Sequence, residues 1–299
     1  MTTSHDARTP ALASESQVEA MIRLLTDTSD TVIEACRKAL LDHAEMSEPL
    51  LRERLATADG EEAEAVRAAL VDVVGARLEA PLIDHIMNAP SLEEGSILIG
   101  RLIDASELPD ALTEALDALA DQVAVALDES LGGDRDPTRD PARELEVLTD
   151  VLAKQNTLTG TDPESADPWD AVLHGVTLRR HGLPLALCMT WLLVARRVGI
   201  PLEGLNMPGH FLLRQPREDG AVVIDPFHGG REVTPAECRT FLAESGYPAM
   251  EPEALAATDR DMLLRSLRNL VMIASRRRER ELAARCARIL DKTSAVTGA

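Results

Sequence analysis

An α+β chain is predicted, all helical over its first half and mixed helix and antiparallel strand over its second. Three observations predict it. Residues 1–168 carry 13 Lys and Arg against 36 Asp and Glu, a net of −23, whereas residues 169–299 carry 18 against 15, a net of +3. All six aromatic residues lie between Trp169 and Tyr247. Helical spacing of apolar residues dominates the first half, while short apolar runs punctuated by Gly and Pro appear only after Gly199. With 299 residues, 45 % of them hydrophobic, the chain can build a substantial core, which excludes wholesale disorder.

Helical periodicity begins near Gln17. Val18, Met21, Ile22, Leu24 and Leu25 mark one amphipathic segment, and Val32, Ile33, Cys36, Ala39 and Leu40 the next. The break Asp27-Thr28-Ser29-Asp30 supplies the oxygen acceptor that the free N–H groups of a helix start need. A short helix with Leu50, Leu51 and Leu55 follows. A second acidic turn, ending in Asp59-Gly60, then precedes an alanine-rich helix carrying Val66, Ala69, Leu70 and Val73. Paired helices with a recurring acidic turn fit a HEAT-like array, and an unrelated helical bundle fits equally well.

Two further helices are expected over Leu92–Ile103 and Pro109–Leu131, then a Gly/Asp/Pro loop over 132–141 and a helix from Ala142 to Lys154. Residues 160–168 form a second loop. Helices over Asp170–Arg180 and Leu185–Val198 lead into Gly199-Ile200-Pro201, and strands are expected at Leu202–Leu205, His210–Gln215, Val222–Asp225 and Glu232–Val233. Thr234-Pro235-Ala236-Glu237 reads as a helix start with a capping box and proline at the first helical position. A tail helix runs from about Asp261 to Leu290, with six arginines between Arg276 and Arg288. That run suits an acidic partner, the chain's own acidic half, or simply solvent.

The strongly acidic first half argues against nucleic acid and anionic lipid, which bind through phosphates neutralised by Lys and Arg. The four cysteines, Cys36, Cys188, Cys238 and Cys286, form no CxxC pair, so neither a zinc site nor a disulfide framework is expected. The polar first fifteen residues carry no secretory apolar run, and the longest apolar stretch, Pro184–Ala195, is too short to span a bilayer. A cytoplasmic protein without membrane contact is expected. His174, His181, His210 and His228 fall short of a metal-ligand pattern, so neither a metal nor a cofactor is expected.

Chemistry concentrates in residues 181–230. If the hairpin reverses about the Arg217–Glu218 bond, His210 faces Asp225 directly, with Cβ atoms about 4.5–5.5 Å apart. A one-residue slip would put them on opposite faces. An imidazole oriented by a carboxylate is the base half of a nucleophilic triad; it is also a common structural hydrogen bond at a sheet end.

The order of these elements resembles the transglutaminase-like superfamily, and more narrowly its SirB-type branch. The residues that carry the resemblance are Leu92-Glu93-Glu94-Gly95, Arg179–Pro184, Val194–Gly199, Pro208-Gly209-His210-Phe211-Leu212 and Ile224-Asp225-Pro226-Phe227-His228-Gly229-Gly230. The similarity covers roughly residues 90–290. It implies a papain-like core in which a Cys at the N-terminus of the central helix attacks an acyl carbon, with His210 as base and Asp225 as its orienter. Pro208, Gly209, Phe211, Phe227, His228, Gly229 and Gly230 would line the binding cleft.

The helix start departs from that pattern. Gly182-Leu183-Pro184-Leu185-Ala186-Leu187 holds neither Cys nor Ser. Cys188, the nearest thiol, lies about one turn on, an offset of roughly 5.4 Å, and stands in an apolar run that suits a buried core residue. His228 replaces the usual Asn, and Ser165–Trp169 replaces an Asn- and Tyr-rich approach.

The expected organisation is therefore a disordered 1–15, helices over 16–88, a transglutaminase-like core over 89–255, and C-terminal helices over 256–299 that form a truncated tetratricopeptide-like tail. The expected function is a degenerate, non-catalytic member that binds a protein or peptide. The alternatives are a cysteine hydrolase or acyltransferase using Cys188, His210 and Asp225, and a purely structural helical scaffold.

Overall fold

The computed structural model describes residues 13–105, 110–131, 140–218, 220–247 and 255–294. The chain is mostly helical with one small antiparallel sheet. It divides into two compact units: residues up to Leu78 with 104–106, and Glu79–Ile103 with everything from residue 107 onward. Most of the segment assigned to N-terminal disorder, most of the 132–141 loop, Pro109 and Asp219 lie outside the described residues. Among the described residues no helix is long and apolar enough to cross a membrane.

In the first unit, α1 (Glu15–Arg23), α2 (Asp30–Asp42) and α3 (Ala44–Leu55) pack on one another. They bury Val18, Ile22, Cys36, Leu40 and Leu51, the apolar positions that the periodicity marks. The alanine-rich helix α4 (Gly60–Asn88) is much longer than its apolar marker residues suggest and runs past the unit boundary.

The second unit continues with α5 (Leu92–Gly100), α6 (Asp110–Leu131) and α7 (Pro141–Thr149), the last capped by Asp140, whose side chain accepts from the Ala142 N–H at 3.0 Å. The expected single helix to Lys154 changes into a π-helical stretch over Asp150–Gln155. The expected helix from Asp170 is also corrected. Asp167 accepts the Trp169 N–H and Asp170 accepts the Asp167 N–H, a capping box that closes a 3-10 turn over Pro168–Ala171. Extended Val172 then separates this turn from α8 (Leu173–Arg179). Gly175 lets α8 lie against that turn, since a Cβ there would sit 1.8 Å from the Trp169 carbonyl oxygen.

Two very short strands, β1 (Thr159–Gly160) and β2 (His181–Gly182), pair in parallel just before the central helix α9 (Pro184–Val198). Residues 185–195 of α9 are all buried, as an uninterrupted apolar helix requires. Pro184 occupies its first position and Gly199, at φ +75°, ends it.

The sheet comprises β3 (Glu203–Leu205), β4 (Leu212–Arg217), β5 (Gly220–Asp225), β6 (Arg231–Val233) and β7 (Ala256–Ala257), in the order β6-β5-β4-β3-β7 with every pairing antiparallel. α9 packs on β3 and β4. Helix α10 (Pro235–Glu244) starts at the expected capping box, with Thr234 and Glu237 exchanging side-chain-to-backbone bonds. Cys238 and Leu242 of α10 join Leu205, Met207, Leu212, Val223 and Val233 in one core cluster.

The single tail helix is corrected to a hairpin of α11 (Asp259–Arg277) and α12 (Arg280–Ser294), packed on each other. Arg278 adopts φ +66°, a left-handed residue that ends α11. Part of the arginine run is engaged within the unit. Arg288 and Lys292 pair with Glu79, Arg277 pairs with Glu279, and Arg276 donates to the Ala166 carbonyl.

Candidate functional site

Two segments that flank the β4–β5 hairpin bring His210 and Asp225 together. Leu213 pairs with Ile224 and Arg217 with Gly220, two positions out of step with a reversal at Arg217–Glu218. This register puts Leu212, not His210, level with Asp225. A two-residue shift keeps the same face, so the side chains still meet. β4 also begins later than expected. His210 and Phe211 lie before it, because residues 207–210 form a turn in which the His210 N–H donates to the Met207 carbonyl at 3.3 Å. Gly209, exposed and at φ +71°, makes that turn, and Pro208 beside it is half-buried.

Nε2 of His210 lies 2.9 Å from Oδ2 of Asp225. The His210 ring stacks on Phe241 at 5.6 Å and 9°, and meets the Phe227 ring edge-on at 5.8 Å. With Nε2–H donated to the carboxylate, the free lone pair of the ring is on Nδ1, the arrangement of a base held by an acid.

Asp225 is completely buried and caps the 3-10 turn Pro226–His228. Its Oδ1 accepts the Phe227 N–H at 3.1 Å, and its Oδ2 also lies 2.7 Å from Nδ1 of His228. Burial acts to raise the Asp225 pKa, but the hydrogen bonds from His210 and His228 and their charge outweigh it, so its net shift is downward. Gly229, exposed at φ +73°, and Gly230, at φ +77°, turn the chain back into β6. A Cβ on Gly230 would come within 2.7 Å of Trp191.

Cys188 stands apart from this arrangement. Its sulfur is fully buried and donates to the Phe211 carbonyl at 3.4 Å. Burial and the Asp225 charge push the thiol well above its ordinary value, against a smaller opposing effect of Arg265, so the reactive thiolate is disfavoured. The buried side chains of Leu185, Ala186 and Leu187 give the first turn of α9 only hydrocarbon. All four cysteines are free and buried.

Sequence reasoning missed two participants, Arg265 and Phe241. Arg265 of α11 donates from Nη1 to the Met207 carbonyl at 2.9 Å and to Oδ1 of Asn206, and from Nη2 to the His210 carbonyl at 2.8 Å. It thereby fastens the turn that carries His210. Phe241, the stacking partner, comes from α10. His181 uses one nitrogen, Nδ1, toward both Asp170 (2.8 Å) and Thr161 (2.9 Å). Pattern reading could have found neither Arg265 nor Phe241, because each contact joins residues far apart in the chain. His174 is buried beside Gly100, and neither it nor His181 joins the His210–Asp225–His228 cluster.

The sequence model described as the transglutaminase-like superfamily matches residues 110–268, which hold α9, the hairpin, His210, Asp225 and Arg265. The chain belongs to the transglutaminase-like superfamily. Within this superfamily it is similar to a UPF0162 protein of Xylella fastidiosa, 42 % identical over 135 residues that make up 43 % of this chain and 48 % of that one. The UPF0162 protein of Pseudomonas aeruginosa is 32 % identical over 189 residues, 62 % of this chain and 66 % of its own. Human F-box only protein 21 is 32 % identical over 108 residues, 33 % of this chain and 17 % of its own. The chain thus spans about half the length of the Xylella relative. No solved structure matches this transglutaminase-like chain significantly.

Proposed function

We propose that the chain is a SirB-type, cytoplasmic member of the superfamily that has lost nucleophilic catalysis and acts by binding a protein or peptide. One observation carries this reading. The thiol nearest the helix start, on Cys188, is enclosed and hydrogen-bonded to the Phe211 carbonyl rather than presented to His210. The His210–Asp225 couple is intact while the first turn of α9 carries only Leu and Ala, so in this reading a base remains with nothing to activate. The turns Pro208–Gly209 and Gly229–Gly230, with the ring of Phe227, supply the binding surface in this reading, and Phe211, expected to line the cleft, is withdrawn from it because it is fully buried. The helices of the first unit are HEAT-like in this reading.

The test has two arms. Incubation with a thiol-directed acyl probe, and with a glutamine donor plus an amine, is expected to give no labelling of Cys188 that depends on His210. Labelling that disappears in His210→Ala would restore the hydrolase or acyltransferase reading. In the second arm, a pull-down compares wild type with the His210→Ala/Asp225→Ala double variant. A partner lost with the pair supports the binding role. Lower stability with every partner retained would instead make the couple a purely structural device.

A further inference from the structure

We propose that His210, Asp225 and His228 form a site for a divalent first-row transition ion, with Zn²⁺ as its simplest occupant. This goes beyond the binding role, does not depend on it, and departs from the expectation that the chain holds no metal. Nε2 of His210 and Nδ1 of His228 lie 2.9 Å and 2.7 Å from the same oxygen, Oδ2 of Asp225. The three ligand atoms all fall within 4.8 Å of one another. Zinc takes nitrogen and carboxylate oxygen at about 2.0–2.2 Å, so its tetrahedral ligands stand roughly 3.3–3.5 Å apart. Widening the two N–O separations by about half an ångström brings them to that spacing.

The scaffold suits that role. Asp225 and His228 stand three apart on one 3-10 turn, a spacing that places both side chains on the same side. The Phe227 N–H occupies Oδ1, which leaves Oδ2 as the oxygen turned to both imidazoles. Stacking on Phe241 fixes the His210 ring from one face. The side chain of His228 is 52 % exposed, which gives an ion a route in from solvent and leaves coordination positions open on that side. Two imidazoles and one carboxylate are a set of borderline donors that selects transition ions over Mg²⁺, and three protein ligands leave a place for water or a ligand group. In the metal-free form each ring donates its N–H to Oδ2. On binding, each neutral ring loses that proton and gains one at its other nitrogen, Nδ1 in His210 and Nε2 in His228, so its lone pair turns to the ion and its charge is unchanged.

The experiment is a Zn²⁺ titration of the chelator-treated full chain, read by competition with a chromophoric chelator and repeated with Co²⁺ for its visible spectrum. One saturable equivalent is expected, with no binding of Mg²⁺. His228→Ala removes an exposed side chain, so its fold is expected to persist, as checked by circular dichroism. It should weaken Zn²⁺ at least about tenfold, by analogy with the losses that follow damage to metal sites. Changing Cys36, Cys188, Cys238 and Cys286 to Ser one at a time should leave affinity unchanged. No saturable binding, equal affinity in folded His228→Ala, or loss in a Cys→Ser variant would each overturn the assignment. The readout needs no protein partner, so its failure is distinct from failure of the binding role.

Discussion

Nε2 of His210 lies 2.9 Å from Oδ2 of Asp225, although the two residues are not cross-strand partners. The contact depends on a turn before β4 and a 3-10 turn after β5, each held by its own hydrogen bonds. The couple is therefore sensitive to whatever loosens either turn.

The neighbours of Asp225 are all donors: the Phe227 N–H and two imidazoles. In Asp225→Asn the carboxylate charge is lost, and each imidazole must shift its proton to its other nitrogen to accept from the amide NH2. A loss of about 1–3 kcal/mol is expected, measured by urea denaturation at pH 7. A variant as stable as wild type would show that the cluster adds nothing to the fold.

The same residue sets a pH dependence. The folded Asp225 pKa lies below its ordinary value, so its contribution is full above about pH 4 and fades as pH falls through the folded pKa. The stability gap between wild type and Asp225→Asn should hold from pH 5 to 7 and narrow below about pH 4. Urea midpoints across that range check the sign; a gap that widens on acidification contradicts it.

Arg265 fastens residues 206–210 through three acceptors. Arg265→Met strands the Met207 and His210 carbonyls and should cost about 1.5–3 kcal/mol, the usual range for bonds to a charged group. Hydrogen exchange at 207–211 should speed up, with Arg265→Lys intermediate. Unchanged exchange there would mean that the turn holds itself.

Burial pushes the thiols of Cys188 and Cys286 up, that of Cys286 to about 12. A disulfide reagent at pH 8 should leave both unmodified in native protein and label them at the rate of unfolding. Fast native labelling of Cys188 would reopen its candidacy as a nucleophile.

Gly175→Ala would drive a Cβ to 1.8 Å from a backbone oxygen that cannot rotate away. A cost of about 2–4 kcal/mol, or failure to fold, is expected from thermal melts. A melt within a degree or two of wild type would show that α8 can shift away from Trp169.

Much of the local structure was readable. The capping box Thr234–Glu237, proline at the start of α9 and glycine at its end act through neighbours within four residues, and each marks a helix end. Where a locally unfavoured residue bends the chain, reading failed. Arg278 takes a conformation that favours glycine and splits the tail into a packed hairpin. The two-residue strands β1 and β2 carry no period at all, and the Asp167–Asp170 box turns an apparent helix start into a separate 3-10 turn.

At the site, the residue types were legible and the geometry was not. A buried central helix without a nucleophile at its tip, and a hairpin flanked by His210 and Asp225, can be read from the residues alone, because periodicity and residue chemistry are written locally. That His228 shares the carboxylate, that Cys188 is tied to Phe211, and that Arg265 grips the His210 turn from 55 residues away emerges from the folded chain alone. Those contacts join elements whose approach is set by packing of the whole core, and side-chain spacing along one strand or helix carries no record of it.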